Sequence, residues 1–199
     1  WGVIVALLLV GVVVFAVSKD KKRWTARMLA NGALCIALST VLSFITLYKM
    51  PQGGSITLAS MLPMFLFAYA YGVGPGMLVG AAYGFVQFLQ GGLYFVHPVE
   101  LLLDYPLAFA MLGLAGLSNK FSDQWGMIPG IILGTFGRFV CAFLSGLIFF
   151  GMYAPEGQNV VIYSMVYNGL YLVPEAIICI VLAMIPQIRQ LAKRLALQD

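Results

Sequence analysis

The chain has 199 residues, of which 62% are hydrophobic and only 9% charged, with a formal net charge of +4. Soluble domains carry roughly 25% charged residues, so this composition excludes an ordinary water-soluble domain and points to a polytopic membrane protein whose first partner is the lipid bilayer. No block of interleaved basic and aromatic residues is present, which argues against a nucleic-acid partner.

A helix that crosses the hydrocarbon core needs about 20 mostly apolar residues. In chain order, seven segments read that way: 2–17, 25–48, 57–71, 75–91, 99–117, 127–152 and 161–185. The first reads as a short membrane helix rather than a cleaved leader, because the basic run "SKDKKR" follows the apolar stretch instead of preceding it. Residues 1–24 are then an extra N-terminal helix with a basic linker, 25–186 a membrane core, and 187–199 a basic tail. Between the third and fourth segments, "YGVGPG" marks a tight turn. Gly76, Gly80 and Gly84 repeat at the small-xxx-small spacing of close helix packing.

Cys35, Cys141 and Cys179 lie far apart in apolar runs and read as packing residues. With one histidine, His97, and no Cys/His cluster, the sequence calls for no metal and no cofactor. A Walker-type phosphate loop, an HExxH motif and a catalytic triad are all lacking, so the sequence gives no support to an enzyme.

Lys19, Lys21, Lys22, Arg23 and Arg27 precede the second segment, Lys120 lies between the fifth and sixth, and Arg189, Lys193 and Arg194 lie in the tail. The positive-inside rule puts all three groups in the cytoplasm. Alternation through seven spans satisfies them together, with the amino terminus outside and the carboxyl terminus inside. The loops left outside, 49–56, 92–98 and 153–160, are rich in Pro, Gly, aromatics and hydrogen-bonding groups.

Ionisable side chains at membrane depth cost about 2.5–3.5 kcal/mol and are functional candidates by default. From the helical rise, Arg138 and Glu175 lie roughly 18 and 20 Å below the outer surface, which suits a structural ion pair between them. Asp104, in "HPVELLLDYPLAF", lies only roughly 9 Å down, at the depth of a pocket open to the outside. Tyr94, Phe149, Phe150, Tyr163, Tyr167 and Asn168 share that layer. Each aromatic alone fits the interfacial belt. An acid ringed by aromatics fits a receptor for a cationic, planar, hydrogen-bonding molecule.

Four stretches occur in order: "MPQGGS", "HPVELLLDYPLAF", "GRFVCAFLSGLIFFGMYAPEG" and "IYSMVYNGLYLVPE". Together they resemble the thiamine-specific S components (ThiT type) of energy-coupling factor (ECF) transporters, over residues 25 to 185. The resemblance implies an all-α integral membrane protein with a six-helix S-component core, to which residues 2–17 are an addition. It implies no enzymatic activity, but high-affinity binding of thiamine from the outside, with a transmembrane coupling subunit and two cytoplasmic ATPases as partners. By motif, Asp104 takes the place of an acidic ligand-binding residue and Tyr105 follows it. Tyr94 falls on a loop aromatic, Phe150 on a stacking aromatic, and Tyr163 and Asn168 on pocket residues. Ala33 and Ala37 match the AxxxA contact for the coupling subunit, a spacing that intrachain packing also produces. Where the family often has histidine, eight residues before the stacking aromatic, this chain has Ala142; a related vitamin or thiamine precursor is the alternative ligand.

Overall fold

The computed structural model describes residues 10, 11, 13, 24–91, 97–120 and 126–196. The expected helix 2–17, its basic linker and Tyr94 therefore lie wholly or almost wholly outside the described residues. Apart from one short β-hairpin, the regular structure of the described chain is helical.

Helix α1 spans Ala26–Phe44. Thr25 starts it: Oγ1 accepts from the Met28 amide at 3.1 Å, satisfying one of the donors that every helix start leaves over. Met28, Gly32, Cys35 and Ser39 form its buried stripe, at the spacing of one helix face. Leu29, Leu34, Leu38, Val41 and Phe44 are exposed, a surface suited to lipid rather than water.

The sequence predicted helix through residue 48, and the structure corrects this. Strand β1 (Thr46–Lys49) pairs antiparallel with β2 (Ser55–Thr57). Gly53 and Gly54 turn the chain at φ +96° and +76°, left-handed values that glycine adopts without steric cost. The predicted span 57–71 is shortened as well. Helix α2 covers only Leu62–Tyr71, and every residue in it except Tyr69 is buried. At about 15 Å it is half the thickness of a bilayer core, and its apolarity on all sides is that of a central core helix.

Helix α3 is Val73–Gln90. Helix α4 is composite: an α-helical start at Pro98–Leu102, a π-helical turn at Leu103–Leu107, an α turn at Ala108–Ala110 and a 3-10 stretch at Met111–Lys120. Helices α5 (Met127–Phe149) and α6 (Val160–Ala183) follow, then the amphipathic α7 (Pro186–Ala196). Among the described residues, Ala26–Phe44, Pro98–Asn119, Met127–Phe149 and Val160–Ala183 are long and apolar enough to cross a membrane.

The glycine spacing read from the sequence is a packing seam. A Cβ on Gly76 would lie 2.6 Å from Ala68 Cβ of α2 and 3.1 Å from Gly113 Cα of α4, and one on Gly84 2.5 Å from the Tyr105 carbonyl oxygen. One on Gly80 would overlap the Phe109 carbonyl. The bare backbone of α3 thus lets α4 approach closely and fixes where Asp104 and Tyr105 stand.

Candidate ligand-binding site

At the hairpin end of the bundle lies a cavity of about 780 Å³. Its walls come from α3, α4, α5 and α6, with the hairpin and the end of α1 completing them. A volume in this range suits a small organic ligand.

Asp104 enters from the π-helical turn of α4. Pro106 lies inside that turn, and a proline cannot supply the amide that regular winding needs. Single π turns inside helices are frequent at functional sites. Upstream, His97 Nδ1 accepts from the Val99 amide and Glu100 Oε2 accepts from the His97 amide, both at 3.1 Å. This capping box anchors the helix start and makes His97 a cap. Asp104 Oδ2 accepts from Ser145 Oγ of α5 at 2.8 Å. Oδ1 has no hydrogen-bond partner among the described residues, while Asp104 lines the cavity.

Aromatic rings cover two sides. Phe150, just past the end of α5, stacks with Tyr153 at 6.0 Å between ring centres. On α6, Tyr163, Tyr167 and Tyr171 rise at steps of four, with centroids 5.8 and 6.3 Å apart. Tyr105 also lines the cavity, its ring edge-on to Phe88 at 5.3 Å.

The buried face of α6 is polar towards the hairpin and apolar beyond it: Ser164, Asn168, Tyr171 and Glu175 precede Cys179 and Ala183. Tyr167 OH donates to the Gly53 carbonyl at 2.7 Å and accepts from the Gln52 amide at 3.0 Å. Tyr171 lies beneath Gly54, where a Cβ would come within 2.9 Å of its ring. Glu175 accepts from the Thr57 amide, from Thr57 Oγ1 at 2.6 Å and from Ser60 Oγ at 3.3 Å. Glu175 stands about 22 Å along α6, so the base of the hairpin descends deep into the bundle. Non-helical backbone at such depth must be buried in protein or line a cavity, and this carboxylate supplies the acceptor that water would otherwise provide.

The ion pair expected between Arg138 and Glu175 is absent. Both line the cavity, but the hairpin occupies both oxygens of Glu175, and the Arg138 guanidinium lies 4.0 Å from the centre of the Phe109 ring. Reading depth along two helices could not foresee a third element bonding to Glu175.

Of the residues singled out in the sequence, Asp104, Tyr105, Phe150, Tyr163 and Asn168 line one cavity; Tyr94 lies outside the described residues. Asn168 is largely engaged by the protein. Its Nδ2 donates to the Ser164 carbonyl at 2.9 Å and the Ala142 carbonyl at 3.3 Å, and its Oδ1 accepts from Tyr171 OH at 2.9 Å. Glu100, Ser145, Tyr153 and Tyr171 were missed. The i, i+4 series 163, 167 and 171 was a legible signal for Tyr171; nothing local marked Ser145. Ala33 and Ala37 are exposed on the side of α1 away from its buried stripe.

The thiamine transporter protein (Thia_YuaJ) family model matches residues 29–195. The thiamine transporter ThiT of Bacillus subtilis is 36% identical over 160 residues, covering 74% of this chain and 83% of the relative. ThiT of Lacticaseibacillus paracasei is 32% identical over 123 residues, 55% of this chain and 61% of the relative. The solved structure of ThiT from Listeria monocytogenes superposes with a TM-score of 0.71 at 26% identity, covering 85% of this chain and 96% of that one. A multi-pass helical membrane protein whose sequence matches that family model from α1 into α7 belongs to the thiamine transporter protein family.

Proposed function

We propose that the cavity beneath the hairpin binds thiamine, and that the chain is the substrate-binding S component of an ECF-type uptake system. The observation that carries this reading is Asp104: a carboxylate at membrane depth, held through one oxygen by Ser145 and with the other open to a cavity walled by aromatic rings. Thiamine has a permanently charged ring and an aminopyrimidine with donors and acceptors. A carboxylate offers it both charge and directional acceptance, and the rings offer stacking and cation–π contact.

In this reading Asp104 takes the ligand's donor and charge, Phe150 stacks on one ring, and Tyr163 and Tyr105 bound the other side. Asn168 contributes mainly by orienting Tyr171, with one oxygen lone pair left for the ligand. Tyr94 remains an expectation from the family motif. The exposed Ala33 and Ala37 offer a small-residue groove to a transmembrane coupling subunit, and two cytoplasmic ATPases supply the energy. Residues 25–186 are the binding core, with 1–24 and 187–199 as additions; the hairpin end faces outside and α7 the cytoplasm.

Ala142 on the cavity wall favours one second reading, a thiamine precursor such as its pyrimidine half, because the wall is open where a ring would otherwise stand. Titration of the purified protein followed by intrinsic fluorescence tests both. Saturable quenching by thiamine at lower concentration than by the pyrimidine alone supports thiamine; the reverse order supports the precursor. No quenching by either contradicts the proposal.

A further inference from the structure

Helix α7 has a pattern that the cavity does not explain. Ile188, Ala192 and Leu195 share one face of it. Ala192 is fully buried in the main core cluster, and Ile188 and Leu195 pack against that cluster. Their main neighbour is α2, the helix that spans only half a bilayer core. The length of α6 says where this happens. That helix starts at the cavity, with Tyr163 in its first turn, and runs for 24 residues, about 36 Å by the helical rise. A bilayer core is about 30 Å thick, so α7 stands at the opposite membrane interface from the cavity.

The rest of the α7 surface divides in two. Pro186–Ala196 holds no acid but carries Arg189, Lys193 and Arg194, and Lys193 and Arg194 are exposed. By helical spacing Leu191 lies on the flank between Leu195 and Arg194, and it is 47% exposed. Met184 and Ile185, at the corner between α6 and α7, are exposed too. Two simpler roles account for part of the charge. Arg189 Nη2 donates to the Met184 carbonyl at 2.9 Å, closing the end of α6, and cations in a last turn complement the helix dipole. Neither role uses the apolar flank.

We propose that α7 lies along the headgroup layer of that interface, where Lys193 and Arg194, with Arg189 beside them, bind anionic phospholipid headgroups while Leu191 and Ile185 reach the acyl boundary. An apolar edge beside an acid-free basic face is the pattern of a helix that lies in a membrane interface, and the cations add attraction to anionic lipid. An acidic protein surface would satisfy the cations but leave the apolar edge unexplained. Through Ala192 the lipid contact also holds α7 on α2, so the short helix is covered at its far end. The inference does not depend on which ligand the cavity takes.

The test puts a probe on the apolar flank. Leu191→Trp is made in the full chain with Trp1, Trp24 and Trp125 replaced by phenylalanine. The protein is reconstituted in vesicles of equal phosphatidylcholine and phosphatidylglycerol, with the chains of one lipid or the other brominated as quenchers. A cation near an anionic surface contributes about fivefold in affinity. Quenching should therefore report phosphatidylglycerol at this position with at least about fivefold preference. Lys193→Gln together with Arg194→Gln should bring the two lipids towards equality. High salt should do the same in the unsubstituted basic face, so the result does not depend on how well that variant folds. Quenching by neither lipid puts α7 clear of the bilayer and overturns the inference. Equal quenching by both, or a preference that survives both the variant and high salt, overturns it as well. A variant that keeps the preference but loses thiamine uptake in cells would assign the basic face to a protein partner instead.

Discussion

Asp104 and Glu175 are two carboxylates in one cavity wall with opposite situations, and their difference is the most direct residue-level test of what each does. Glu175 has both oxygens taken by Thr57 and Ser60. Asp104 has one oxygen on Ser145 and one open. Glu175→Gln turns an acceptor towards Thr57 into a donor, and a buried donor without its acceptor costs about 1–3 kcal/mol. The ligand-free melting temperature in detergent should therefore fall clearly for Glu175→Gln. For Asp104→Asn it should fall little or rise, since the amide oxygen still accepts from Ser145 and a costly charge is gone. Equal losses in the two variants would make Asp104 a structural residue like Glu175.

At the scale of elements, the glycine seam between α3 and α4 sets the cavity wall. Gly84→Ala would put its Cβ 2.5 Å from the Tyr105 carbonyl oxygen and 2.9 Å from Pro106 Cα. Overpacking of this kind costs about 1–3 kcal/mol, and the displaced backbone carries Asp104 and Tyr105. Melting temperature and thiamine affinity should fall together. Gly169, in α6, has nothing within 4 Å of its Cβ position, and alanine there should raise stability by roughly 0.5–1 kcal/mol through helix propensity. A neutral Gly84→Ala would contradict the seam. This seam was legible in the sequence because Gly76, Gly80 and Gly84 repeat at helical spacing and helix contacts follow that period. The hairpin was not. "FITLYKMPQGGSIT" reads as the frayed end of an apolar helix plus a loop, and its pairing with Glu175 spans 118 residues. The irregular winding of α4 escaped for a related reason: 99–117 reads as one apolar span, and a π turn is set by the neighbours that hold it. The Asp104 pocket, in contrast, was visible as a charge at shallow depth followed by Tyr-Pro, with aromatics recurring in the outer layer.

For the whole molecule, two of the loops expected on one side of the membrane meet at one end of the bundle: Gly53 of 49–56 and Tyr153 of 153–160 line the same cavity, while 92–98 lies mostly outside the described residues. If that end is outside, a single cysteine at the exposed position Gln158, in a background with Cys35, Cys141 and Cys179 replaced, should react with an impermeant maleimide in intact cells. Reaction only after permeabilisation would reverse the orientation and the direction from which ligand enters. The central claim is that a half-open carboxylate at membrane depth exists to receive a cationic ligand. Calorimetric titration of wild type and Asp104→Asn with thiamine tests it most directly. The account predicts saturable 1:1 binding by the wild type and an affinity about 10- to 150-fold lower for Asp104→Asn. Equal affinities, or no binding by the wild type, would contradict it.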